Sequence, residues 1–312
     1  PISLPYASGT SKLNIDSSIK TTPGEAVDVI DAMGKSSKQT TVIPAYANDY
    51  SLVSWDKTSF NKTLNPASIG GILLKEVMWS QDFLGGMHET ESDEEVEAES
   101  PTQDSGPYSL GVSAADGFQG LLLTEISIDK MQLLQNQLAY DGKTLGAKLT
   151  PQYNPTKHPI WFPHSISVQE TQKNGVNALG KLTINNGSST LQDTWMLLWP
   201  TSEYYAFSDQ RTQNTAQNPA FLSVFDNAPF ASTPNANTDT NTNNDVSGND
   251  AFSLASNLSN ALFKNLDVLH FNTKAGTFVD TVVNGKQSTT VTTFDAAYSI
   301  VALSIYQRSQ DA

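Results

Sequence analysis

Apolar residues recur at helical spacing in five stretches of this chain. Asn65-Pro66 opens the first, with Asn as the N-cap and Pro at the first helical position; Ile69, Leu73 and Val77 follow at four-residue steps on one face. Ser113 to Tyr140 is long and places Leu121, Ile128, Met131, Leu134 and Leu138 together. Ser189 to Trp199 gathers Leu191, Trp195, Leu198 and Trp199, and Pro200 then stops or kinks it. Ala251 to Phe271 carries Leu254, Leu258, Leu262, Leu266 and Leu269, and Phe294 to Tyr306 is richly apolar. Between them the pattern predicts short β pieces at Thr144–Leu149 and Ala178–Ile184. It also predicts a hairpin of Thr277–Val283 with Thr289–Thr293 around Asn284-Gly285, a pair suited to tight hairpin turns. The prolines of Pro151–Pro163 make that segment non-helical.

The first sixty-odd residues read as irregular, with one short helix near Gly24–Met33 and a strand or packed loop over Thr41–Phe60. The fold class is therefore mainly α: a helical-hairpin array with short β-hairpins and long polar loops. Residues 1–64 form an irregular lead packed on the core. Residues 65–312 form the helical domain, with insertions at 88–107 and 231–250.

Composition narrows the function. The 312 residues include no Cys, 18 basic and 32 acidic side chains, for a net charge of −14. Absence of Cys excludes disulfide scaffolds, thiol catalysis and zinc–thiolate sites. Only Arg211 and Arg308 carry the planar fork that reads phosphate. So acidic a chain binds neither nucleic acid nor anionic lipid, and no apolar run approaches the ~20 residues of a membrane span. The sequence begins at Pro1 rather than Met, as a processed or excised chain would. Freedom from Cys and abundant Asn, Thr and Ser point to an extracytoplasmic, periplasmic or secreted, setting. The sequons at Asn61, Asn186 and Asn257 are expected by chance in so Asn-rich a chain.

Two insertions carry candidate chemistry. Residues 89–101 hold seven acids and no base beside Met87-His88. Such a run is a solvated loop, or with His88 a metal patch, copper included. Residues 239–250 follow a calcium-loop pattern. Asp239, Asn241 and Asn243 stand at its positions 1, 3 and 5, Asp245 and Ser247 at 7 and 9, and Asp250 at 12. Asn244 replaces the usual turn Gly, and the same composition also suits a polar linker. None of the four His is paired at the spacing of a zinc helix, no Ser sits in a nucleophile elbow, and no Gly-rich phosphate cradle follows a strand.

Three helix starts echo one another: Ser113 with Asp116, Ser189 with Asp193, and Thr292 with Asp295, each followed by an aromatic. A hydroxyl followed by an acid about three residues on is a helix-capping signature. The last sixty residues then run helix, hairpin, helix, from Leu266-Asp-Val-Leu-His-Phe271 through Gly285 to Thr293-Phe-Asp-Ala-Ala-Tyr298. This layout resembles one hairpin of the α/α toroids, the ring-of-helical-hairpins architecture of many carbohydrate-active enzymes. The resemblance extends more loosely over Ser113–Asp209, and the chain has too few helices for a six-hairpin ring. It implies that Asp116, Asp193 and Asp295 gather at one mouth with Glu203 as a catalytic carboxylate set, and that Trp161, Trp195, Tyr204 and Tyr205 stack on sugar rings. As capping acids and core aromatics the same residues need no such role.

The functional expectation is an extracytoplasmic, calcium-stabilised binding or structural protein without catalysis, its partner a glycan or another surface protein. A toroid-type carbohydrate-active enzyme is the alternative, and a copper-handling exported protein the next.

Overall fold

The computed structural model describes residues 21–30, 36–44, 62–84, 114–173, 176–209, 221 and 251–311, in two compact units. The smaller, Tyr6–Asn61, holds an antiparallel pair, β1 (Thr21–Ile30) and β2 (Ser36–Pro44). The helix expected near Gly24–Met33 is thus a strand over most of its length. Pro23-Gly24 is a poor helix interior, and Thr21, Thr22, Val27, Val29 and Ile30 are β-branched. The register slips between Pro23 and Ala26, where those two residues sit.

The larger unit is mainly helical, with five α-helices and small antiparallel sheets among its described residues. Strand β3 (Thr63–Leu64) leads into α1 (Pro66–Phe83). As the sequence predicts, Asn65 caps α1: its side-chain oxygen accepts from the Ser68 N–H at 2.9 Å, and Ile69, Leu73 and Val77 are buried. Helix α2 (Ala114–Leu133) ends in a π turn, Leu134–Leu138. A long β-hairpin follows, β4 (Ser165–Lys173) with β5 (Val176–Asn186), and β3 extends it as a third strand. The stretch predicted as strand over Thr144–Leu149 makes only an isolated bridge, Tyr140 to Leu145.

Strand β6 (Ser189–Thr190) leads into α3 (Leu191–Ser208), and α4 (Ala251–Asn265) ends in a second π turn, Leu266–His270. Strands β7 (Phe271–Asn272) and β8 (Thr277–Phe278) pair with each other. The expected Asn284-Gly285 turn is real, with φ of 49° and 74°. It joins β9 (Thr281–Val283) to β10 (Lys286–Gln287), a shorter hairpin than predicted, and β9 also pairs with β6. Helix α5 (Thr293–Asp311) completes the described chain.

Helix α3 packs on α1, α4 and α5, and α1 also packs on α2. Helices α1, α3 and α5 lie side by side and parallel: Ala67 of α1 meets Asp193 of α3, and Trp195 of α3 meets Phe294 and Tyr298 of α5. Helices α2 and α4 run antiparallel to their partners. The start of α2, at Gly120, meets the end of α1 at Phe83–Leu84, and Phe252 early in α4 stacks on Tyr205 late in α3 at 4.9 Å.

Of the two outcomes expected at Pro200, a stop or a kink, the stop does not occur; the helix runs on to Ser208. Proline removes one N–H, the one that would bond the Met196 carbonyl four residues back. Gly70 of α1 packs against that carbonyl, so closely that a Cβ on residue 70 would stand 2.3 Å from the oxygen. The hydroxyls of Thr201 and Ser202 donate to the carbonyls of Leu197 (2.8 Å) and Leu198 (2.7 Å), which covers the neighbouring acceptors. One buried ion pair joins the first helices: Lys130 of α2 donates to Glu76 of α1 at 2.6 Å. Burial raises the Glu76 pKa, and the lysine charge opposes that shift.

Gly70→Ala tests the α1–α3 contact. Alanine gains up to ~1 kcal/mol of helix propensity over glycine, but here it collides with backbone, and such overpacking costs about 1–3 kcal/mol. A net loss near ~2 kcal/mol is expected in urea unfolding. At Gly71 a Cβ would meet only the flexible Met196 Cε, so Gly71→Ala is expected to be neutral or stabilising. Equal effects at the two positions would refute the close contact.

Candidate functional site

Asp193 draws together α1, the residue that caps α3 and the segment that enters β4. It stands three residues after Thr190, the N-cap of α3, and the two exchange bonds. The Asp193 N–H donates to Thr190 Oγ1 at 3.0 Å and Thr190 Oγ1 donates to Asp193 Oδ2 at 2.5 Å. The cap is thus Thr190, one residue later than the sequence echo places it. Oδ1 accepts from the Ala67 N–H of α1 at 3.0 Å, and Oδ2 also meets His164 Nδ1 at 2.8 Å. His164 sits just before β4, and Asn65 donates to its carbonyl at 2.9 Å. The carboxylate therefore faces the positive ends of two helices and an imidazole while itself 1 % exposed. His164 is half-buried, and its bond to Asp193 raises its pKa against a smaller opposing effect of burial.

Asp295 repeats the device at α5. Thr292 Oγ1 donates to Asp295 Oδ2 at 2.6 Å and accepts from the Asp295 N–H at 3.0 Å. Its other oxygen accepts from the Trp195 indole of α3 at 3.0 Å. Each capping acid thus reaches across to the neighbouring helix of the parallel row, Asp193 to α1 and Asp295 to α3. Glu203, midway along α3, pairs with Arg308 of α5 at 2.9 Å. Asp116 lies in the first turn of α2, its side chain outside the described residues.

A second polar lock joins α4 to α3. His270, fully buried, places Nδ1 3.1 Å from the Val279 carbonyl, which can only accept, so the proton sits on Nδ1. Nε2 then accepts from Ser189 Oγ at 2.9 Å. Burial lowers the His270 pKa to about 4. The spacing is that of a serine–histidine pair, but both side chains are buried, and a carbonyl rather than a carboxylate orients the ring.

Of the four aromatics assigned to sugar stacking, Trp195, Tyr204 and Tyr205 are buried. Trp195 stacks on Tyr298 with ring centres 5.0 Å apart, and Tyr204 meets Phe207 edge-on at 5.7 Å. Trp161 is half-buried; its indole donates to the Gly187 carbonyl at 2.8 Å and its ring meets Tyr140 edge-on. The aromatics open to solvent lie elsewhere: Trp79 on α1, Phe118 on α2, and Phe294 and Tyr298 on α5. Periodicity assigns such residues to helices without deciding which face meets water.

Two clefts are lined by Asp129, Lys130, Gln132 and Asn136, and by Asp267, Phe271, Lys274 and Gln287, among others. Neither contains Asp193, Glu203 or Asp295. The calcium-loop residues Asp239, Asn241, Asn243, Asp245, Ser247 and Asp250 lie outside the described residues, as do His88 and the acidic run. Among the described residues no group of three or more His, Cys, Asp or Glu could hold a metal ion, and no helix is long and apolar enough to cross a membrane.

The two histidines give opposite pH signatures. The folded chain holds the His164 proton more tightly than the unfolded one, so this contribution is full below about pH 6.5 and is lost as pH rises through the raised folded value. His270 resists protonation until about 4, so its contribution is full above about pH 6.5 and is lost as pH falls toward 4. Thermal melts of His164→Gln against the parent are expected to show a gap of roughly 1–3 °C near pH 5.5 that closes by about pH 8. A gap independent of pH would dismiss the ionic part of the Asp193–His164 bond.

No family model matches this chain, and neither a curated protein nor a solved structure is significantly similar to it.

Proposed function

We propose that the protein is a non-catalytic binding or structural module of an extracytoplasmic compartment, built as an open array of α/α hairpins and stabilised by calcium at residues 239–250. The observation that carries this reading is the employment of its carboxylates. Asp193 and Asp295 each close a capping box and link that helix to its neighbour in the row, α1 and α3 respectively, and Glu203 is ion-paired across α3 and α5. Acid–base catalysis at a glycosidic bond instead requires two carboxyl groups about 5–10 Å apart across an open substrate cleft. The array is supported by the order of packing: α1 with α2, α3 with α4, and α1, α3 and α5 in one row. Toroids begin from the same arrangement of hairpins, and a ring would need more of them.

The carboxylate assignment is tested by asking for hydrolysis directly. Incubation with a panel of soluble polysaccharides is expected to release no reducing ends, and Asp193→Asn and Asp295→Asn are expected to melt earlier. Release of reducing sugar by the parent protein, abolished in Glu203→Gln, would reverse the reading in favour of a toroid-type enzyme.

Calcium is tested separately. A ligand that binds only the folded chain stabilises by mass action, by about 2.7 kcal/mol at a hundredfold excess over its Kd. Millimolar calcium is expected to raise the melting temperature by several degrees and excess chelator to remove the gain. Identical melts in millimolar calcium and in chelator would eliminate the calcium site.

A further inference from the structure

Two amide side chains beside the second π turn are each held at one end only. Asn272 ends β7, and its Oδ1 accepts from the N–H groups of Lys274 (3.1 Å) and Ala275 (3.0 Å), which closes the turn to β8. Gln287 ends β10, and its Nε2 donates to the carbonyls of Leu269 (2.9 Å) and Phe271 (3.3 Å). A backbone N–H bonds only the oxygen of an amide and a carbonyl only its nitrogen, so these partners fix which way each amide faces. The opposite ends are left over: the Asn272 Nδ2 as a donor and the Gln287 Oε1 as an acceptor. Among the described residues neither of these atoms has a hydrogen-bond partner. Groups held in this way lose little freedom on meeting a ligand.

Both residues line one cleft of about 550 Å3, within the range of small-ligand sites. Phe271 lines it too, half-buried and edge-on to Phe278 with ring centres 5.6 Å apart, and supplies apolar surface. Asp267 and Lys274 are the charged residues of the lining; they are opposite in sign, exposed, and therefore weak contributors. Thr273 and Lys274 are exposed, so that wall is open and a chain can cross it. In the other cleft the lysine is already committed, because Lys130 pairs with Glu76.

We propose that this cleft binds a neutral glycan chain. A sugar hydroxyl donates and accepts at once, and a fixed donor with a fixed acceptor engages it in both senses. The apolar C–H face of a pyranose ring matches Phe271. An anion would find Asn272 Nδ2 and Lys274, but would also face the acceptors Gln287 Oε1 and Asp267. A free amino acid would depend on Asp267 and Lys274, the two solvated groups. The assignment rests on the reading of a non-catalytic binding module and gives that module its ligand.

Calorimetric titration of the full chain with cello-, malto-, manno- and chito-hexaose tests it, with a Kd of roughly 0.1–1 mM expected for at least one. Asn272→Ser keeps an oxygen for the turn and removes the free amide nitrogen. It is expected to bind about tenfold more weakly at the parent's melting temperature. Should Asn272→Ser melt early, the 15N side-chain amide signals of Asn272 and Gln287 in the parent decide: they are expected to move with sugar, and stillness overturns the proposal. It is also overturned if none of the four sugars binds, if glutamate or lysine binds in their place, or if a stable Asn272→Ser binds as the parent does. Reducing ends measured in the same mixtures test the non-catalytic reading by itself. A chain that neither binds nor cleaves loses only the cleft, whereas cleavage removes the reading on which the cleft rests.

Discussion

One buried carboxylate, Asp193, fixes the relation between the first two helices of the row. Placing an ionised group in the interior is costly unless donors surround it. Here three do: the Ala67 N–H, the Thr190 hydroxyl and His164 Nδ1. These donors come from α1, from the residue that caps α3, and from the loop that enters β4. The entry to β4 and the starts of α1 and α3 are therefore held together at this carboxylate. Asp295 does the same for α3 and α5 with an indole as the remote donor. A local signal, the hydroxyl-and-acid cap, has in both cases acquired a tertiary bond.

Around that frame the helices approach as closely as their small residues allow. Gly70 against the Met196 carbonyl and Gly120 against the Leu84 backbone are contacts that no side chain would fit. Pro200 serves the first of these, because it lacks the N–H that would otherwise bond the carbonyl Gly70 meets. The hydroxyls of Thr201, Ser202 and Ser208 are buried within α3 and return their protons to its own carbonyls. This explains how so serine- and threonine-rich a sequence builds a helical core: these hydroxyls are satisfied within their own helix.

Function follows from which groups remain unengaged. Asp193, Glu203 and Asp295 bond across helices, and Trp195, Tyr204 and Tyr205 are buried among them. What faces water instead is the apolar outer surface of α5, together with Trp79 and Phe118 on α1 and α2.

The sequence by itself determined the helices, because periodicity and capping act within a few residues: Asn65-Pro66 starts α1, Thr292 with Asp295 starts α5, and Asn284-Gly285 turns a hairpin. It misjudged elements that depend on distant partners. Residues 24–33 had a helical look until pairing with β2 made most of them a strand. Pro200 read as a stop or a kink, and with α1 packed on α3 the helix runs through it. The aromatics of α3 and α5 were legible as helical, but nothing in their spacing said that Trp195 turns inward onto Tyr298 while Phe294 stays exposed. His164 and Asp193 lie 29 residues apart, and Ser189 and His270 lie 81 apart. No local rule couples positions so distant. Only the tertiary structure could decide that the two capping acids also join neighbouring helices of the row, Asp193 to α1 and Asp295 to α3.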